Sequence, residues 1–238
     1  MTTTPVVALL PGLLCDAAVW TPQRAALAAG GVTGFVPDWG ELSSLTEMAR
    51  RVLDQAPAAQ FALAGHSMGG RVALEVMRLA PGRVTRLALM DTGVEPLDAG
   101  AAGQQERAQR LELLALARSQ GMRAMARQWA RGMVHPAHLA TPVFDAILDM
   151  FERKTPAIFA AQIKALLARP DARGVLAAVT CPTLLLCGRQ DAWSTFARHQ
   201  QMQALLPAAR LMAVEDAGHM VTLEQPEAVS AALVRWLT

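Results

Sequence analysis

The chain has 238 residues, 53% of them hydrophobic, with 22 Lys and Arg against 20 Asp and Glu for a formal charge of +2. That length and apolar share predict one large domain with a well-filled core, and basic residues scattered among acids argue against nucleic acid as a partner. Three cysteines without a C-x-x-C pair, Cys15, Cys181 and Cys187, predict reduced thiols in a cytoplasmic protein, and the absence of tyrosine removes a phenolic acid or base.

The first residues carry no positive charge ahead of the short apolar run Val6–Leu10, so they do not read as a signal peptide, and no apolar run approaches the ~18 residues of a membrane span. Val6–Leu10 predicts a core strand ended by Pro11-Gly12. Asp16 then stands where its carboxylate caps a helix that ends at Gly30-Gly31. Residues 35–39 predict a second strand, and 45–53 a helix capped by Ser44. Strands are predicted again at 61–64, 86–90, 183–187 and 210–215, and six strands interleaved with helices indicate a mostly parallel sheet covered on both faces.

The alternation stops between Gly93 and Thr180, where helical spacing runs through 104–131, 142–153 and 156–167. The expected organisation is a core of residues 1–93 and 180–238 with a helical cap, 94–179, inserted over the carboxyl ends of the strands, where open α/β sheets bind ligands. The Ala-rich piece 97–103 is the expected mobile loop. Met125, Trp129 and Met133 in the cap, with Leu14 and Met220 from the core, are candidate pocket residues, set against ordinary core packing. Arg123, Arg127 and Arg131 recur at i+4, which reads either as a solvated helix face or as an attraction for an anionic substrate.

The stretch Gly65-His66-Ser67-Met68-Gly69 joins the strand at 61–64 to a helix carrying Val72, Val76 and Leu79. A serine on such a turn takes a strained backbone that lifts its hydroxyl clear of the sheet, and glycines two residues to either side avoid a collision. A serine hydroxyl needs a base, normally a histidine oriented by a carboxylate. Of five histidines, His219 follows the last predicted strand and emerges at the same sheet edge as Ser67. His66 reads as a packing or hydrogen-bonding residue, and His199 as part of a solvated helix. His135 and His138 have no further ligand at metal-like spacing, so no metal is expected. Two aspartates compete for the carboxylate, Asp91 and Asp191; the order Ser, Asp, His with the acid after a late strand favours Asp191. The backbone N–H of Met68, at a helix start, and of Leu13, beyond Gly12, are the candidate oxyanion donors.

These residues, G-H-S-M-G-G at 65–70, G-R-Q-D at 188–191 and G-H-M at 218–220, resemble the α/β-hydrolase superfamily over nearly the whole chain. The resemblance implies a triad of Ser67, Asp191 and His219, oxyanion donors Met68 and Leu13, a helical cap and no cofactor. Pro11 stands where many capped members carry histidine, so the loop after the first strand must be braced by other groups. The expected function is hydrolysis of a small, largely apolar carboxylic ester. Carbon–carbon bond hydrolysis or a lyase reaction on an anionic substrate is the alternative, and a non-catalytic ligand-binding protein on the same fold is the alternative of another class. Oligomeric state is left open.

Overall fold

The structure, a computed structural model, describes residues 5–238, so most of the uncharged start read against a signal peptide, residues 1–4, lies outside the described residues. In chain order the elements are β1 (Val6–Leu10), α1 (Thr21–Ala29), β2 (Thr33–Phe35), α2 (Leu45–Gln55), β3 (Phe61–His66), α3 (Met68–Leu79) and β4 (Val84–Met90). Five consecutive helices follow: α4 (Ala101–Gln120), α5 (Met122–Ala130), α6 (Pro142–Glu152), α7 (Pro156–Leu167) and α8 (Arg173–Ala177). The chain then closes with β5 (Thr183–Gly188), α9 (Phe196–Leu205), β6 (Arg210–Val214), α10 (Val221–Glu224) and α11 (Pro226–Leu237).

The six strands form one parallel sheet in the order β2-β1-β3-β4-β5-β6. Every residue of β3 and β5 is buried, because parallel strands joined by helical crossovers are covered on both faces and carry continuous apolar runs. Helix α1 packs on α11 over one face, while α2, α3, α8 and α9 follow one another over the other. Among the described residues no helix is long and apolar enough to cross a membrane.

Four local expectations are corrected. The second strand is Thr33–Phe35 rather than 35–39: it pairs with Val6, Val7 and Ala8 of β1, and Pro37 has no N–H to continue a ladder. The helical run 104–131 is broken at Gly121, whose φ of +89° suits glycine and separates α4 from α5. The piece read as a mobile loop enters α4 at Ala101, and a side chain at Gly103 would collide with the carbonyl of Asp98. His199 is fully buried rather than solvated, because the His199–Met202 face of α9 packs inward; its Nδ1 lies 3.1 Å from the Thr195 carbonyl and its Nε2 accepts from Thr92 N at 3.4 Å.

Candidate active site

Ser67 occupies the single-residue turn between β3 and α3 with φ 54° and ψ −117°, a conformation rare for any residue but glycine. Its backbone is pinned on both sides: the N–H donates to the Met90 carbonyl at 2.8 Å, and the carbonyl accepts from Gly70 N at 3.0 Å and from Thr92 Oγ1 at 2.7 Å. A Cβ at Gly65 would run into the Gly69 carbonyl, and one at Gly69 would run into the carbonyl of Leu10 on β1. The two glycines therefore allow the turn to close against the neighbouring strand.

His219 lies in the loop between β6 and α10, and its imidazole spans two contacts of 2.8 Å, from Nε2 to Ser67 Oγ and from Nδ1 to Asp191 Oδ2. A carboxylate can only accept from Nδ1–H, which leaves Nε2 unprotonated to receive the serine proton. Asp191 follows β5, and its Oδ1 accepts from Trp193 N at 2.8 Å and Ser194 N at 2.9 Å. Burial by itself raises a carboxyl pKa, but His219 and the two amides outweigh it and hold Asp191 at about 2. Asp91, at the end of the adjacent strand, is turned elsewhere: Oδ1 accepts from Gly188 N at 2.9 Å. Burial, and then the charge of Asp191, push its carboxyl well above the usual range, and it braces the β4–β5 strand ends.

Several braces hold the His219 loop. His66 Nε2 lies 2.7 Å from the His219 carbonyl, and burial lowers the His66 pKa, so a neutral ring donates this bond. The His219 N–H donates to the carbonyl of Met133 at 2.6 Å. The buried Glu224 carboxylate gathers three backbone N–H groups, from Met220 at 2.9 Å, Gly218 at 3.0 Å and His135 at 2.7 Å. Sequence reasoning misses Glu224; an acid amid the buried residues of α10 is the signal it offers.

The loop after β1 is braced by residues from afar. Trp39 Nε1 donates to the Pro11 carbonyl at 3.0 Å, and Leu14, at φ 60°, donates its N–H to Gln162 Oε1 at 2.8 Å. Gln162 interrupts the apolar stripe Phe159, Ile163, Leu166 of α7, which is the sequence signal that a polar partner is needed there. Leu13 N and Met68 N donate to no acceptor among the described residues, and both residues line the cavity that contains Ser67 and His219.

That cavity has a volume of about 1000 Å³. Trp129, Met133 and Met220 line it, joined by Phe151 and Trp193, with Trp129 and Trp193 stacked at 5.5 Å between ring centroids. Met125 and Leu14 do not: both are fully buried, Met125 in the packing of the helical insert and Leu14 turned inward by its positive φ. Nor do the three i+4 arginines. Arg123 is held by Asp149 and Glu152, each at 2.6 Å, while Arg127 and Arg131 are exposed. The arginines on the cavity wall are Arg71, Arg110, Arg169, Arg173 and Arg198. His135 and His138 serve backbone groups, and no cluster of three or more His, Cys, Asp or Glu able to hold a metal occurs among the described residues.

Residues 7–232 match the model of the alpha/beta hydrolase family. The chain belongs to that family. It is 30% identical over 192 residues to the pimeloyl-[acyl-carrier protein] methyl ester esterase of Nitrosomonas europaea, covering 78% of this chain and 74% of that one. It is 29% identical over 203 residues to the dihydrolipoyllysine-residue acetyltransferase component of the acetoin cleaving system of Pseudomonas putida, spanning 83% of this chain and 51%, about half, of that protein. Its fold superposes with a TM-score of 0.89 on a thermophilic esterase from Thermogutta terrifontis at 27% identity, covering 99% of this chain and 90% of that one.

Proposed function

We propose that this alpha/beta hydrolase is a cofactor-independent serine esterase that cleaves a small carboxylic ester through an acyl-enzyme. Ser67 Oγ attacks the ester carbonyl as its proton passes to His219 Nε2, and Asp191 stabilises the imidazolium that forms. The oxyanion is received by the N–H groups of Met68 and Leu13. On collapse of the tetrahedral intermediate, His219 returns the proton to the departing alcohol. A water molecule, deprotonated by His219, then releases the acid and restores Ser67. The observation that carries this reading is the continuous relay at 2.8 Å and 2.8 Å from Ser67 through His219 to Asp191, beside two amide groups without acceptors among the described residues.

In the same reading the insert, 94–179, acts as a cap, and Trp129, Met133, Phe151 and Trp193 receive the apolar part of a small-molecule substrate. The reaction runs in the cytoplasm and needs no membrane or nucleic-acid partner. Ser67→Ala tests the assignment: ester turnover should fall by at least about 10³ while the melting temperature is retained, and persistence of most activity refutes it.

A further inference from the structure

Five arginines and five carboxyl groups line the cavity that holds Ser67, and among the arginines Arg71 stands without an acid partner. Arg71 lies four residues beyond Ser67, one turn along α3; it is partly buried, borders the cavity, and also borders a small second cleft beside Leu74, Glu75 and Asp171. Its Nη1 donates to the carbonyl of Glu95 at 2.8 Å, and its Nε and Nη2 donate to no acceptor among the described residues. Glu106 is shared by two arginines, taking Arg169 at 2.8 and 2.7 Å and Arg110 at 2.9 Å. Glu95 stands 3.6 Å from Arg198 Nε, and one of its carboxylate oxygens is buried without a hydrogen bond. Asp98 and Glu112 also border the cavity but are exposed to solvent, and Arg173 is taken by Asp171. Arg71 itself has no carboxylate within ion-pair distance.

These groups converge on one point. A Cβ on Gly93, just past β4, would lie 3.3 Å from Arg71 Nη2, 2.9 Å from Arg198 Cδ and 2.9 Å from Glu95 Oε2. Gly93 adjoins Thr92, whose hydroxyl holds the Ser67 carbonyl, so the convergence is fixed to the turn that carries the nucleophile. Burying an arginine beside other arginines is costly, and burial followed by the charge of Arg169 lowers the Arg71 pKa to about 9. The free Nε and Nη2 form the edge of a guanidinium that takes a carboxylate through two parallel hydrogen bonds.

We propose that the substrate of this esterase carries a carboxylate besides its ester, and that Arg71, with Arg198 beside it, holds that carboxylate next to Ser67. The inference rests on the serine-esterase reading and narrows its substrate class from a small carboxylic ester to a half-ester of a dicarboxylic acid or an ester of a hydroxy acid.

The test compares ester pairs that differ only in a terminal carboxylate or methyl: monomethyl succinate with methyl butyrate, monomethyl adipate with methyl hexanoate, and O-acetylglycolate with ethyl acetate. The wild type should favour the carboxylate member of at least one pair by about tenfold or more in kcat/KM, the range of a charge-assisted hydrogen bond. Arg71→Gln should bring that ratio close to one, chiefly through KM, and Arg71→Lys should recover part of it. Arg198→Gln, on a different element, should lower the ratio as well. A purely structural role for either arginine lowers turnover of both members and leaves the ratio unchanged, which overturns the proposal. So does a wild type that favours the neutral member of every pair. If Ser67 is labelled by a fluorophosphonate and no carboxylate preference exists, only this inference falls; an unlabelled Ser67 removes the esterase reading and this inference with it.

Discussion

Asp91 and Asp191 follow adjacent parallel strands, yet only Asp191 brings a carboxylate oxygen to within 2.8 Å of His219 Nδ1. Asp91, at φ 45°, turns its carboxyl to the amide of Gly188 instead. The two positions are equivalent in topology, and the loop after each strand decides their roles. Asp191→Asn should lower kcat/KM for an ester by about 10³ to 10⁴, because an amide favours the wrong imidazole tautomer. Asp91→Asn should change it by less than about tenfold. Steady-state kinetics on the two variants separates the roles; equal losses contradict them.

The same pair predicts opposite dependences of stability on pH. Asp191 ionises at about 2 in the folded protein against 3.8 when unperturbed, so its stabilisation is present above pH ~4 and is lost as pH falls toward about 2. The contribution at neutral pH is about 2 kcal/mol. Asp91 is displaced upward by burial and by Asp191, so the unfolded chain loses this proton first and stability declines as pH rises above ~4. Urea unfolding at pH 3, 5 and 7.5 should show the Asp191→Asn deficit shrinking toward acid. Asp91→Asn should gain on the wild type as pH rises.

The placement of Ser67, Asp191 and His219 at the strand ends was legible because it depends on residue type and short spacing. A serine between Gly65 and Gly69, and a histidine and an aspartate each just past a strand, are local patterns, and a parallel sheet brings strand ends together at one edge. What was not legible depends on contacts across the chain. Gln162 meets Leu14 across 148 residues, and Glu224 gathers the N–H of His135 from 89 residues away. The helical run around Gly121 hid a break, since apolar spacing persists on both sides of a single glycine. The i+4 arginines, which read either as a solvated helix face or as an attraction for an anionic substrate, lie off the cavity, whereas the arginines that border it come from α3, α4, the α7–α8 segment and α9 and share no sequence pattern. Arg71 alone offered a clue, one helical turn from Ser67.

Tight closure of the Ser67 turn predicts a steep cost for a methyl group. Gly69→Ala would press a Cβ into the Leu10 carbonyl, with the Pro11 carbonyl at 2.9 Å, and neither backbone group can retreat without moving β1. A loss of about 3 kcal/mol is expected, which for a chain of this size lowers Tm by about 6–12 °C. Calorimetry on the variant checks this, and an unchanged Tm contradicts the packing described.

Glu224 predicts a kinetic effect without contact with substrate. Replacing it with Gln turns one acceptor oxygen into an NH₂ facing backbone N–H groups, which loosens the loop that carries His219. A displacement of this kind should lower kcat by about tenfold to a hundredfold with a smaller change in KM. A pure KM effect contradicts a positioning role.

The most direct measurement of the central claim is intact-mass analysis after treatment with a fluorophosphonate, on the wild type, Ser67→Ala and His219→Ala. The account predicts one adduct on the wild type and none on either variant under the same exposure, since the serine is nucleophilic only while His219 takes its proton. A folded wild type that forms no adduct, or an adduct that survives the loss of Ser67, contradicts it.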